Sequence, residues 1–435
     1  MTSAIAVASP TASTVPTIRR LDNGLTIIAE QMPVEAVNLN LWVRVGSAVE
    51  SDAINGMAHF LEHMIFKGTA QLPIGEFERR IEARGGVTNA ATSQDYTHFY
   101  ITTAPQDFAT LAPLQIDLVM NPLLMDAEFE RERPVILEEI RRANDNPRRR
   151  TFYRSMEMAF DRLPYRRPVL GPTTVIEGLQ AQQMRDFHGH WYQPERITAV
   201  AVGNLPVEEL IQVVADSFEE AMAHRASLSP HCWQLGPVVR STPEAPFSQI
   251  HRTVHIDDAL QQARLILGWR VPGVANLEHT YALDVLASVL GRGRTARLVQ
   301  DLREERQWVT SISASNLTYW QQGVFSISAQ LPIAHLEQVE AAIATHITQV
   351  CAEPITEAEL RRIQTQVANR HVFGSESPSD RAGLYGYYHT LTGNLEPALA
   401  YPQAIQALTP KDIQVAAQAH LSPTAYGAVI LRPDV

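Results

Sequence analysis

Cysteine is almost absent: among 435 residues there are two, Cys232 and Cys351. They lie far apart and form no Cys-x-x-Cys pair, which excludes a disulfide framework and a thiolate zinc site. Both read as small apolar residues, and a reducing, cytoplasmic location is expected. Long apolar runs are missing too. No uninterrupted stretch is long enough to cross a bilayer, so no membrane span is expected. Positive charge is scarce, with 36 Lys and Arg against 47 Asp and Glu and a formal net charge of −11. Phosphate binding needs a basic surface, so nucleic acid is not an expected partner, whereas an acidic surface or cavity attracts cationic peptides. Residues 1–17 carry no charged side chain. A secretory signal needs a basic start and a sustained apolar core, and a mitochondrial presequence needs arginines, so this stretch reads as a disordered lead.

What remains is a globular composition, 45% hydrophobic and 19% charged, in a chain too long for one core. Residues 19–32 alternate like strands around an Asn23-Gly24 turn, and 37–47 alternate again. A helix then carries His59 to Phe66. Next comes an amphipathic helix with Ile74, Phe77 and Ile81 on one face, stopped by Gly85-Gly86. "VTNAATSQDYTHFYITT" reads as a strand pair. Helical segments follow near 106–120 and 126–144, the second interrupted by Pro134, which either kinks a helix or marks its first turn. "ITAVAVG" at 197–203 is an apolar strand expected to close the first sheet, followed by a helix to 221. Residues 222–248 lose periodicity and gather four prolines, so the linker is placed there. The order of elements then starts over in 249–435: two α+β units, 18–221 and 249–435, each a sheet covered by helices, with little identity between them. "GRGRT" in the second lacks the Lys-Ser/Thr ending of a phosphate loop.

The chemistry concentrates in "MAHFLEHMIFKGT" at 57–69. Two imidazoles and a carboxylate among Met, Phe, Leu and Ile are costly to bury unless an ion neutralises them. On a helix His59 and His63 are about 40° apart around the axis, and Glu62 is about 60° from His59. This His-x-x-Glu-His order is the reverse of the common zinc-helix motif and occurs among metallopeptidases. A catalytic zinc usually takes three protein ligands and leaves one position for water. The third candidate lies in "ERERPVILEEI". Glu132 and Glu139 are seven residues apart and share a face on a continuous helix, while Glu138 points about 100° from Glu139. The geometry favours Glu139 as ligand and Glu132 as an orienting carboxylate, although periodicity alone leaves the two open. The second unit has no such triplet.

"HFLEHMIFKGT", followed 76 residues after His63 by Glu139, resembles the pitrilysin/insulinase family of zinc metallopeptidases, and its bacterial, processing-peptidase-like branch in particular. The similarity extends over "GGVTNAATSQDYTHFY", "PYRRPVLG" and "GRGRTARLVQDLREERQ", most of residues 18–435. The resemblance implies zinc held by His59, His63 and Glu139, with Glu62 as general base and Glu132 as the accessory glutamate. It also implies a clamshell of two such halves facing two more across a chamber suited to short or unfolded peptides. Substrate would add as a strand at "TNAATS", with Asn89 and Ala90 beside the metal. Active relatives supply an Arg and, seven residues later, a Tyr that bind the substrate carbonyl. Here Arg303 aligns with the first, but Thr310 stands in the second position, and its hydroxyl is too short to replace a phenol. The resemblance therefore implies a heterodimer in which a homologous, metal-free partner supplies the Arg/Tyr pair. A homodimer is the alternative if Tyr319 reaches the site. A different outcome within the same family is a non-catalytic assembly subunit, against which the intact zinc motif argues.

Overall fold

The computed structural model describes residues 15–228 and 241–434. The lead at 1–14 and the linker segment 229–240 lie outside the described residues. Two mixed sheets carry the fold. The first contains β1 (Thr17–Arg20), β2 (Thr26–Gln31), β3 (Val37–Val43), β4 (Val87–Thr92), β5 (Thr97–Thr103) and β6 (Ile197–Gly203), in the order β1-β2-β6-β3-β5-β4. The second contains β7 (His251–Ile256), β8 (Ala263–Pro272), β9 (Ser311–Leu317), β10 (Gln322–Leu331) and β11 (Gly427–Arg432), in the order β7-β11-β8-β10-β9.

Leaving β1 aside, the two sheets have one topology. In each, the first and last strands of the unit pair in parallel (β2 with β6, β7 with β11) and every other pairing is antiparallel. The third strand of each, β4 or β9, forms an outer edge. The expected closing strand "ITAVAVG" is instead central: all seven residues of β6 are buried, because a run that is apolar on both faces needs cover on both.

The helices connect the same way in each half. The first has α1 (Met57–Ile65), α2 (Glu76–Glu82), α3 (Phe108–Met120), α4 (Asp126–Asp145) and α5 (Pro147–Ala159). In the second, Tyr281–Gly291 takes the place of α1 between its strands, and Glu357–Phe373 that of α4. Ile74, expected on the face of α2, lies before that helix and is half exposed, because Gly75 starts the helix with φ +77. Phe77 and Ile81 do face the core. The helix after β6 runs from Val207 to Leu228, so the fading periodicity at 222 does not end it. The segment "ARLVQDLREERQ" at 296–307 contains a π-helical stretch, Val299–Glu305.

The halves exchange helices. α5 of the first unit packs on β8 and β11 of the second, while Pro378–Thr392 of the second packs on β3 and β6 of the first. Each crossing helix gives its host sheet a second apolar layer: Ile28, Trp42, Val200 and Val202 meet Ala382 and Tyr385, and Met156, Ala159 and Phe160 meet Val324. This explains why every residue of β3 is buried. The buried asparagines among them find partners, Asn38 Nδ2 donating to Ile101 O and Thr102 Oγ1 and Asn40 Oδ1 pairing with His98 Nδ1, while Asn38 Oδ1 has none among the described residues. The close approach depends on Gly386, where an added Cβ would stand 2.0 Å from Trp42 Nε1. Gly386→Ala is expected to lower the unfolding free energy by about 1–3 kcal/mol through overpacking, read as a lower urea midpoint.

Candidate metal centre

α1 is short and almost wholly buried. Met57, Ala58, Phe60, Leu61, Met64 and Ile65 enter the core, and Phe60 stacks on Phe129 of α4 with centroids 4.4 Å apart. The helix has no Ser, Thr or Asp at its start; its N-cap is Gly56 at φ +99. The cap comes from Glu50, whose carboxylate accepts from Gly56 N at 2.8 Å, Ala58 N at 2.7 Å and Asn55 Nδ2 at 2.8 Å. An anion there answers both the free N–H groups and the positive end of the helix dipole. Burial pushes this carboxyl up to about 7, against those hydrogen bonds. Nothing near Glu50 in sequence marked it as a cap.

α4 is continuous from Asp126 to Asp145 with Pro134 inside it, so Glu132 and Glu139 share one helix. Phe129, Ile136, Ile140 and Ala143 hold the stripe that faces the core, which aims both glutamates at α1. Glu138 goes to the solvent side and pairs with Arg141 and Arg142.

Where the helices meet, His59, His63 and Glu139 each offer one atom, and the three atoms lie within 4.8 Å of one another. Glu139 Oε2 is 3.4 Å from His59 Nε2 and 3.6 Å from His63 Nε2. Ligands at about 2.0–2.1 Å around a tetrahedral zinc stand about 3.3–3.4 Å apart, so the donor set fits that ion. Protonation fits as well. Burial, with His63 beside it, pushes His59 down to about 3, and a metal takes the neutral imidazole. The three residues sort as one buried and two half-buried, which leaves the centre open on one side.

Around this cluster stand the supporting groups. Glu132 Oε1 is 3.0 Å from His63 Nδ1 and its Oε2 is 2.6 Å from Lys67 Nζ. Burial raises the Glu132 carboxyl, but the hydrogen bonds from Lys67 and His63 outweigh it and hold it below the ordinary carboxylate value. Lys67 is one of only two lysines in the chain. Glu62 accepts a short hydrogen bond from Thr92 Oγ1 on the edge strand β4. Burial pushes its carboxyl above the usual range, partly offset by Thr92.

β4 pairs with β5 alone among the described strands. Its residues alternate exposed and half-buried, with Ala90 packed on the core and Thr92 bonded to Glu62. Asn89 falls on the exposed alternation and its Oδ1 accepts from Ala90 N at 2.9 Å. Of the two strand residues expected beside the metal, Ala90 is on the α1 side and Asn89 points the other way. The period of two also identifies Thr92, two residues beyond Ala90, as a site residue that motif reading passed over. Lys67 lies in the turn just past the end of α1, beyond the reach of helical spacing.

The second-half residues do not join the cluster within the chain. Arg303 is bound to Glu304. Thr310 donates to Gln262 Oε1 and Gln330 O, each at 3.0 Å. Tyr319 stacks on Tyr165 with centroids 4.6 Å apart, and its hydroxyl lies 4.0 Å from Met156 Sδ in the seam between the halves. Tyr319 is half-buried there.

A sheet-and-helix unit that is duplicated in topology, with a two-histidine, one-glutamate cluster in one copy, defines a two-domain mixed α/β protein built around a metal-type centre. Family models agree: "Insulinase (Peptidase family M16)" matches residues 25–173 and "Peptidase M16 inactive domain" matches 178–367. The chain belongs to this pitrilysin/insulinase-type M16 family. It is 28% identical to "Uncharacterized zinc protease Rv2782c" of Mycobacterium tuberculosis, over 98% of this chain and 95% of that one. To "Zinc protease PqqE" of Helicobacter pylori it is 26% identical, over 95% and 92%. A crystal structure of a protease from Helicobacter pylori superimposes with a TM-score of 0.88 at 25% identity, over 96% of this chain and 99% of that one. Among the described residues no helix is long and apolar enough to cross a membrane.

Proposed function

We propose that the chain is a zinc-dependent endopeptidase of short or unfolded peptides and acts as the zinc-bearing subunit of a heterodimer. The observation that carries this is the meeting of His59, His63 and Glu139 atoms within 4.8 Å, with Glu62 on the same helix face and outside that set. When bound, zinc supplies a Lewis acid that polarises the scissile carbonyl and eases deprotonation of water. Glu62 takes the proton that water loses as its oxygen attacks the carbonyl carbon, and delivers it to the amide nitrogen as the C–N bond breaks. Its raised pKa suits both halves of that transfer, since a base poised nearer neutrality also gives the proton back. Thr92 Oγ1 fixes the carboxylate. An extended peptide would pair with the open edge of β4 and run past Ala90 toward Glu62. The heterodimer reading draws on the engaged Thr310 hydroxyl and on the half-buried Tyr319 stacked on Tyr165: a partner of the same fold would bring the missing phenol.

The test is metal analysis of the purified full chain combined with cleavage of fluorogenic peptides, alone and after co-expression with homologous neighbours, followed by native mass spectrometry. One zinc per chain and cleavage that appears or rises with a partner are expected. A chain without zinc, alone or in company, would be an assembly subunit; zinc without turnover would leave a peptide-binding module.

A further inference from the structure

A cavity of about 350 Å³ lies in the seam between the halves, a size and a position common among small-molecule sites. Three segments meet there. The turn between β4 and β5 brings Asp95, the turn between β9 and β10 brings Trp320 and Gln321, and the stretch after α5 brings Arg162, Tyr165 and Arg167. Asp95 ties them together. Its two oxygens accept from the Tyr165 hydroxyl at 3.0 Å and from Trp320 N at 2.8 Å, and Gln321 N donates to the Tyr165 oxygen at 3.0 Å. Burial pushes this carboxyl up to about 6, against those bonds.

Two indoles form part of the wall. Trp320 is fixed through Nε1, which donates to Leu391 O at 3.0 Å, and the Arg44 guanidinium stands over its ring, Cζ 5.6 Å from the centroid. Trp191 ends the helix Ala181–Trp191 and carries the Arg196 guanidinium over its own ring at 4.4 Å. Both tryptophans are half-buried and line the cavity, so ring surface stays open to an occupant. Flat apolar surface beside guanidinium groups favours a ligand that is itself flat and aromatic.

The charge of the lining decides the rest. Arg44, Arg162 and Arg167 stand against Glu50 and Asp95, three against two. Both carboxylates are occupied, Asp95 as above and Glu50 by the start of α1. Arg167 is occupied as well, donating to Asp52 and to Glu50 O. Arg162 is different. The buried Glu244 carboxylate accepts from its backbone N at 2.8 Å, and Glu244 N donates to Gln322 Oε1 at 2.8 Å, so the rim is held in place from the second half. The exposed Arg162 side chain has no hydrogen-bond or ion-pair partner among the described residues. A planar guanidinium on a fixed backbone takes a carboxylate in a two-pronged fashion.

We propose that this interdomain cavity binds a small aromatic carboxylate, its ring against Trp320 and Trp191 and its carboxylate held by Arg162. Val49, Glu50 and Ser51, from the loop that caps α1, share the lining. An occupant therefore bears on the seam and on the start of the helix that carries His59 and His63 together. The site stands apart from the peptide-hydrolase reading and is measured without turnover.

Isothermal titration calorimetry on the purified full chain would follow three probes of similar outline: 2-naphthoate, its neutral amide 2-naphthamide, and the saturated decahydro-2-naphthoate. For 2-naphthoate a Kd on the order of 0.1–1 mM is expected, as for other ligands of fragment size. The amide should bind ~10-fold more weakly through loss of the charge-assisted contact, and the saturated acid roughly 3–10-fold more weakly through loss of ring contacts. Arg162→Gln should bring 2-naphthoate down to the affinity of the amide and leave the amide unchanged. Ser241→Trp, at an exposed residue of the lining, fills part of the space and should weaken all three probes by ~10-fold or more. Equal affinity of the three probes for the parent chain would overturn the proposal. So would 2-naphthoate binding that survives both variants, since the probe would then sit at the metal centre or elsewhere. Peptide cleavage, present or absent, alters neither result.

Discussion

Glu62→Gln is expected to keep its zinc and to lose peptide turnover by ~10³-fold, within the range of a positioned general base. Glutamine has the size of glutamate and its amide oxygen can still accept from Thr92 Oγ1, so the fold of α1 has no reason to change. The three atoms that converge on the centre belong to His59, His63 and Glu139 and not to Glu62, so metal content should stay at the parent level by elemental analysis. What disappears is the ability to take a proton. The check is single-turnover cleavage of a fluorogenic peptide beside the zinc measurement. Parent-like rates would remove Glu62 from the chemistry, and loss of zinc would make it part of the ligand set.

The elements that sequence made legible are those whose pattern is local. "ITAVAVG", "YALDVLASVLG" and the two strands after it occur where their periodicity puts them. What was hidden is placement. A run such as β6 is apolar throughout whether it closes a sheet or sits in its middle, and only the crossing helices decide. Those helices belong to the opposite half of the chain, so no window around β3 or β6 contains the residues that cover them. Pro134 was ambiguous for a related reason: packing of Phe129, Ile136 and Ile140 against the core keeps α4 continuous across a residue that would break an isolated helix.

The same division runs through the site. The His59–Glu62–His63 spacing is a local property of one helix and fixes which side chains share a face. Ala90 and Asn89 were harder, since choosing the inward residue of β4 requires knowing which alternation meets α1. Glu50 was out of reach. It is separated from the helix it caps by a loop that folds back through Asn55 and is held by Arg167 from a distant segment donating to Glu50 O, and nothing in the order of residues records that.

The two glutamates of α4, which periodicity could not separate, should behave differently when each is replaced by Gln. Glu139 Oε2 faces the Nε2 atoms of both histidines, so Glu139→Gln takes away a charged donor and is expected to remove zinc and cleavage together. Glu132 meets His63 from behind. By accepting from Nδ1 at 3.0 Å it holds the proton on that nitrogen and leaves the Nε2 lone pair aimed at the centre, and Lys67 holds Glu132 in place from its other oxygen. Among the described residues His59 Nδ1 has no such partner, so this orientation is set on one ring only. Glu132→Gln should therefore weaken zinc affinity by about 10–100-fold and regain much of its activity when zinc is added in excess. Glu139→Gln should not recover under the same addition. Competition with a chromogenic chelator reads both affinities. If Glu132→Gln lost the metal outright while Glu139→Gln was rescued by zinc, the roles would be exchanged, and the ion would lie on the Glu132 side of His63.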